Sequence, residues 1–289
     1  MASSTDGPGL LAEAERKLKA KGMFGFGGPK LDEAADLFGR AANAFKLSKK
    51  WKDSGDAFVQ QAQTLERMGD RDDAASAYIN ASKSYKKEHP RDAVVALETA
   101  VKFLTEKGRF SAAANNMKQV AEIYETDIAD MEKAMHAYEQ AAEWYSGEDS
   151  NAQANACMLK VATFAGTLEM YDRAIDLFER VASKSVDNNL TKWSVRDYLF
   201  KAGICVLCTG DNVRARNSLD RYQSLDATFS ETRECKLLLA LLDAIEAGDV
   251  EAFTASLRDF DRLSKLDEWK TSLLLRVKNK LDAQEADFT

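Results

Sequence analysis

One spacing recurs across residues 31–183 of this 289-residue chain. A small residue is followed four positions later by a bulky one, and three positions after that by a small or apolar one. Ala34, Phe38 and Ala41 show it, as do Ala74, Tyr78 and Ala81; Ala93, Leu97 and Ala100; Ala134, Tyr138 and Ala141; and Ala174, Phe178 and Val181. Weaker copies start at Ser54, Ala114 and Ala154. Spacings of four and three put the three side chains on one helical face. The copies begin at 34, 54, 74, 93, 114, 134, 154 and 174. A step of this length is one helix plus a tight turn, and two steps make a helical hairpin. Alanine admits a neighbouring helix closely, and the bulky residue fills the gap that remains. No such hairpin buries its apolar face alone; the next hairpin completes the core. The spacing predicts an all-α, right-handed stack of antiparallel helix pairs with a concave and a convex face. Its rival is a globular helical bundle without a groove.

Gly69 with Asp70, Gly108, and Gly210 with Asp211 mark turns, and Asp70 is placed to cap the next helix. Pro90 suits a first helical turn. Past residue 190 the pattern loosens. Leu237, Leu238, Leu239, Leu241 and Leu242 make one helix apolar on several sides, as a buried helix is. The division expected is a disordered start over 1–9, a hairpin array over 10–190, a C-terminal helical bundle over 191–284 and an acidic tail over 285–289. Residues 22–29 interrupt the array. Four glycines there alternate with Met23, Phe24 and Phe26. Apolar side chains on so flexible a loop either fold back on the first hairpin or serve another surface, such as a bilayer. Lys17, Lys19, Lys21 and Lys30 flank it and suit an anionic membrane surface.

The formal net charge of -7 argues against bulk nucleic-acid binding. Leu10 to Leu18 is too interrupted by charge for a signal peptide, and no apolar run approaches the ~20 residues of a membrane-spanning helix. A cytoplasmic protein is expected, peripherally attached to membrane. Cys157, Cys205, Cys208 and Cys235 lie in apolar helical settings and read as reduced, buried thiols. Neither His89 nor His136 belongs to a catalytic or metal motif, so no enzyme, cofactor or metal site is expected. The basic residues are more telling. Lys46, Lys49, Lys50 and Lys52, then Lys83, Lys86 and Lys87, then Lys102, Lys107 and Arg109 cluster near turns, several at helix C-termini where the dipole favours them. Lys118, Lys160, Lys192, Arg196 and Lys201 continue the series, and Lys160 interrupts an apolar stretch. Lined up on one side, they offer a positive wall to an elongated acidic ligand. Asp243, Glu246, Asp249, Glu251, Glu285 and Asp287 carry the opposite sign further on, which suggests a second partner.

Several segments together resemble the alpha-SNAP/Sec17 family of soluble NSF attachment proteins, from about Leu10 to the end. They are Gly108-Arg109-Phe110, Ala121-Glu122-Ile123-Tyr124-Glu125, the run from Tyr138 to Tyr145, the run from Ser230 to Lys236, and Leu266-Asp267-Glu268-Trp269-Lys270. The resemblance implies a TPR-like twisted sheet of fourteen helices with a C-terminal bundle. It implies an adaptor that packs on the four-helix SNARE bundle of syntaxin-like, SNAP-25-like and synaptobrevin-like chains, and recruits the hexameric ATPase NSF/Sec18 to dismantle it. It also implies roles for particular residues. Met23, Phe24 and Phe26 match the membrane-contact loop. Lys86, Lys87, Arg109, Lys160 and Lys201 match or adjoin SNARE-facing positions. Asp243, Glu246, Glu285 and Asp287 match acids facing the ATPase. Two departures stand out: Asn115 replaces a basic residue, with Lys118 one turn on, and Phe288 replaces the penultimate leucine tied to ATPase stimulation. A monomer is expected in the free state. The alternative is a generic TPR-like scaffold for another acidic helix or peptide.

Overall fold

The computed structural model describes residues 6–19 and 30–287, with side chains to residue 283. Fourteen α-helices and no strand occur among them: α1 Gly7–Lys19, α2 Leu31–Leu47, α3 Trp51–Met68, α4 Arg71–Tyr85, α5 Pro90–Glu106, α6 Phe110–Ile123, α7 Met131–Gly147, α8 Asn151–Thr167, α9 Tyr171–Ser185, α10 Lys192–Thr209, α11 Asn212–Leu225, α12 Arg233–Ala247, α13 Val250–Leu263 and α14 Glu268–Asp287. The architecture is all-α and built from TPR-like helical hairpins, with a helical bundle toward the C-terminus. By contact density the chain divides into two compact units, Met1–Ala154 and Asn155–Thr289. The boundary expected at 190/191 lies between α9 and α10, which pack together inside the second unit. Helix α1 begins at Gly7, inside the stretch expected to be disordered. It is held there by Leu10, 5% exposed, and by Gly7, whose Cα lies against the Phe45 ring. Among the described residues no helix is long and apolar enough to cross a membrane.

The small–bulky–small residues are the core. Every member of the five strong copies is buried. In the first unit α2 through α7 pack each on the next along the chain. Two of the bulky positions are tyrosines, and each buried phenol finds a carboxylate. Tyr78 donates to Glu66 at 2.6 Å, and Tyr138 to Glu125 at 2.7 Å. Burial, with the carboxylate beside it, pushes the Tyr78 phenol far above its ordinary range.

The turns follow the same beat. Lys49, Gly69, Gly108, Ala129, Asp149 and Glu169 all have left-handed backbone, with φ of 57°, 88°, 69°, 60°, 54° and 62°. Each stands two positions before the next helix. Gly210 and Gly248 repeat the device in the second unit. Glycine adopts this conformation without strain, whereas an L side chain pays about 1–2 kcal/mol. Ala129→Gly is therefore expected to raise stability by about 0.5–1 kcal/mol, strain relief less the added freedom of the unfolded chain. A thermal melt that falls would contradict this. Asp70 does not cap α4 with its side chain; Asp130, Asp211, Thr232 and Asp249 do cap α7, α11, α12 and α13.

In the second unit the central helix is α10, and the leucine-rich α12 is buried against it through Leu237, Leu238, Leu241 and Leu242. Helix α10 packs against α9, α11, α12 and α14, and every residue from Ala202 to Cys208 is buried. Helix α14 lays Leu273, Leu274, Val277 and Leu281 into the same core.

Candidate functional site

The six candidate cations are placed by the hairpin geometry. Lys86 and Lys87 follow the last turn of α4, and Arg109 follows α5. Because α4 and α5 run antiparallel, these lie at opposite ends of one hairpin, roughly 25 Å apart at 1.5 Å per residue. The far end is closed by ion pairs: Arg71 to Glu106 at 2.5 Å, Lys107 to Asp72 at 2.6 Å and Arg109 to Asp72 at 3.4 Å. The Lys107 ammonium, helped by Arg109, holds the Asp72 carboxyl below its usual range. Three cations share two carboxylates there. Lys118, on α6, makes a helical pair with Glu122 at 3.7 Å. Lys86 meets Asp127 at 3.6 Å. Asp127 sits on the π-helical turn Tyr124–Ile128 that extends α6. Lys87 is exposed and has no carboxylate partner among the described residues.

In the second unit Lys160 stands exposed on α8, while its apolar neighbours Met158, Leu159 and Val161 are buried or half-buried. Its head thus reaches solvent from an apolar stretch, the arrangement expected of a snorkelling lysine. Lys201 is held differently. Its side chain is 23% exposed and bonds Asp197 at 2.9 Å. Lys270 bonds both Asp197 and Asp267 at 2.9 Å, which closes a network of two cations and two carboxylates. Burial alone pushes Asp197 up, yet the hydrogen bonds from Lys201 and Lys270 outweigh it and hold the carboxyl below its ordinary value. Exposed ion pairs are worth only ~0–1 kcal/mol, so Lys86, Arg109 and Lys118 exchange their partners cheaply for carboxylates of a ligand. Lys201 gives up more.

Asp243 and Glu246 share one face of α12, and Arg216 from α11 bridges them at 2.8 and 2.5 Å. Nothing in the sequence signals that clamp, since Arg216 lies 27 and 30 residues away from its partners. A basic ligand meets these acids already half-neutralised. Glu285 and Asp287 fall within α14, but their side chains, like Phe288, lie outside the described residues, as do Met23, Phe24 and Phe26.

Among the described residues no reactive centre accompanies these charges. Cys205 and Cys208 are buried on α10, and the Cys208 thiol faces the Leu273 carbonyl of α14 at 3.6 Å. Burial pushes Cys208 up to about 12, so thiolate chemistry is suppressed. Among the described residues no group of three or more His, Cys, Asp or Glu could hold a metal ion. The arrangement serves binding, with cations offered on each unit and an acidic face on α12.

Known proteins align with the chain almost from end to end. The family model described as "Soluble NSF attachment protein, SNAP" matches residues 5–282. The human alpha-soluble NSF attachment protein is 43% identical over 284 residues, covering 96% of this chain and 96% of the human one. A probable vesicular-fusion protein sec17 homolog of Schizosaccharomyces pombe is 43% identical over 282 residues, covering 97% of this chain and 98% of its own. The alpha-soluble NSF attachment protein of Vitis vinifera is 42% identical over 275 residues, covering 95% and 94%.

Proposed function

Since the chain belongs to the soluble NSF attachment protein family, we propose that it is a non-catalytic adaptor which binds assembled SNARE bundles and brings the NSF/Sec18 ATPase to them. The observation that carries this reading is the family match over residues 5–282, which takes in both the cation-bearing hairpins and the C-terminal bundle. Lys86, Lys87, Arg109, Lys118, Lys160 and Lys201 contact the acidic bundle. Asp243 and Glu246 on α12, with Glu285, Asp287 and Phe288 of the tail, face the ATPase. Met23, Phe24 and Phe26 touch the bilayer and raise the local concentration of a weak binder. The deciding experiment is reconstitution: purified chain, a SNARE complex, NSF and ATP, with disassembly followed over time. Disassembly that depends on this chain supports the proposal, and disassembly at the same rate without it overturns it.

The exposed cation on α8 gives a sharper expectation. Lys160→Glu reverses the charge of an exposed residue, and circular dichroism with a thermal melt checks that the variant folds. Binding to a soluble SNARE complex is expected to weaken about tenfold at low salt, with the difference shrinking as salt rises. An unchanged pulldown across salt concentrations would remove Lys160 from the contact. Lys201→Glu makes a poorer test, because it also breaks the Asp197–Lys270 network.

A further inference from the structure

Asp243 and Glu246 stand where their own helix disfavours them. Glu246 is in the last turn of α12 with Asp243 just before it, and no basic residue occupies that turn. Carboxylates there oppose the partial negative charge of the unpaired helix carbonyls. Nothing in α12 itself calls for these acids, and their compensation comes from α11. A single nitrogen of Arg216, Nη2, donates to Asp243 at 2.8 Å and to Glu246 at 2.5 Å.

The clamp lies at the surface. The Arg216 side chain is 37% exposed, that of Asp243 65% and that of Glu246 40%. Ion pairs screened by solvent in this way hold weakly and exchange. A carboxylate also has about four acceptor sites, so each acid keeps oxygen lone pairs to offer while Arg216 is in place. The clamp therefore decides what a cationic ligand gains. An isolated ammonium that takes one acid trades one ion pair for another. A surface that brings several cations together takes both acids and releases Arg216 to water or to Asp220, one turn further along α11.

We propose that Arg216 is a specificity-determining residue of the α12 face: it competes with the ligand for Asp243 and Glu246, so that a clustered basic protein surface displaces it and a lone cation does not. The competition keeps the contact weak and exchanging. It rests on the assignment of both acids to the ATPase, made above from family membership.

Competition and simple structural support give opposite results, because here stability and binding move in opposite directions. Removing the guanidinium leaves the acids uncompensated at the end of α12 and lowers the melting temperature, yet it frees them for the ligand. The test titrates NSF onto the immobilised full chain and follows binding by interferometry at low and at physiological salt. Arg216→Gln is expected to tighten binding about threefold to tenfold at low salt and by less at physiological salt. Arg216→Met, which keeps the aliphatic stem, should do the same. Asp243→Asn with Glu246→Gln should weaken binding at least about tenfold. Circular dichroism with a thermal melt shows which variants fold. If the double acid variant binds like the parent, the acids do not face the ATPase, and that assignment and the role of Arg216 fall together. If it binds more weakly while neither Arg216 variant binds more tightly than the parent, the competition is overturned and the assignment stands.

Discussion

Trp269→Ala is expected to cost the second unit about 3 kcal/mol, a value for losing most of a large aromatic from a packed site. Trp269 is half-buried and does three things at once. Its indole N–H donates to the Thr163 carbonyl of α8 at 2.9 Å. Its ring meets Phe178 of α9 edge-on, with centroids 5.9 Å apart. Its far edge lies so close to Gly166 that a Cβ there would stand 2.7 Å from Cζ2. The neighbouring anchor is Arg276, which donates to the Thr167 carbonyl at 3.0 Å. Removing the indole therefore loosens α14 from α8, and with it the helix that carries the acidic tail. Trp269→Phe separates the contributions. It keeps ring packing but leaves the Thr163 carbonyl without this donor, at a cost of about 1 kcal/mol. Urea titration monitored by circular dichroism measures both. An alanine variant within about 1 kcal/mol of the parent would show that α14 is held elsewhere.

Gly55→Val is expected to lose about 3 kcal/mol as well, by overpacking rather than by a void. A Cβ on Gly55 would lie 2.3, 2.4 and 2.6 Å from three atoms of the Tyr85 ring. That ring cannot step aside easily. It is 6% exposed, and its hydroxyl donates to Asp56 at 2.6 Å. On helix propensity alone, replacing a glycine in a helix interior gains up to about 1 kcal/mol. The contact decides the sign. Tyr85→Ala should relieve the clash, so the double variant Gly55→Val with Tyr85→Ala should be destabilised by less than the sum of the two, with a coupling of about 1 kcal/mol or more. Strict additivity in thermal and chemical melts would refute this account of the α3–α4 contact.

Much of the fold is legible along the chain because its core is periodic. The copies that start at Ala34 and Ser54 are carried by α2 and α3, one helix each. Ala34, Phe38 and Ala41 are buried as their spacing requires. The turns are legible only where they use glycine. Lys49, Ala129 and Glu169 adopt the same left-handed conformation as Gly69 and Gly108, and no local preference of those side chains announces it, whereas Asp149 is of a type that tolerates it. The geometry of the neighbouring helices imposes it. Helix α12 is buried through Leu237, Leu238, Leu241 and Leu242 as its leucines announce, but nothing along the chain tells that α10 is the helix packed on α9, α11, α12 and α14. Small residues such as Gly203 let α10 be surrounded: a Cβ there would stand 2.4 Å from Leu238.

The charges divide in the same way. Their signs and their recurrence along the hairpins are properties of the residues, and the resemblance to a family could be read from short runs such as Leu266 to Lys270. Which cations stand ready for a ligand is another matter. Arg109 meets Asp72 across 37 positions, Arg216 gathers Asp243 and Glu246, and Lys270 reaches back to Asp197. Apolar periodicity is a local property, because neighbouring turns of one helix share a face. Ion pairing joins residues that meet only after distant helices have packed, so the partners of each charge, the Arg216 clamp among them, were decided by tertiary structure.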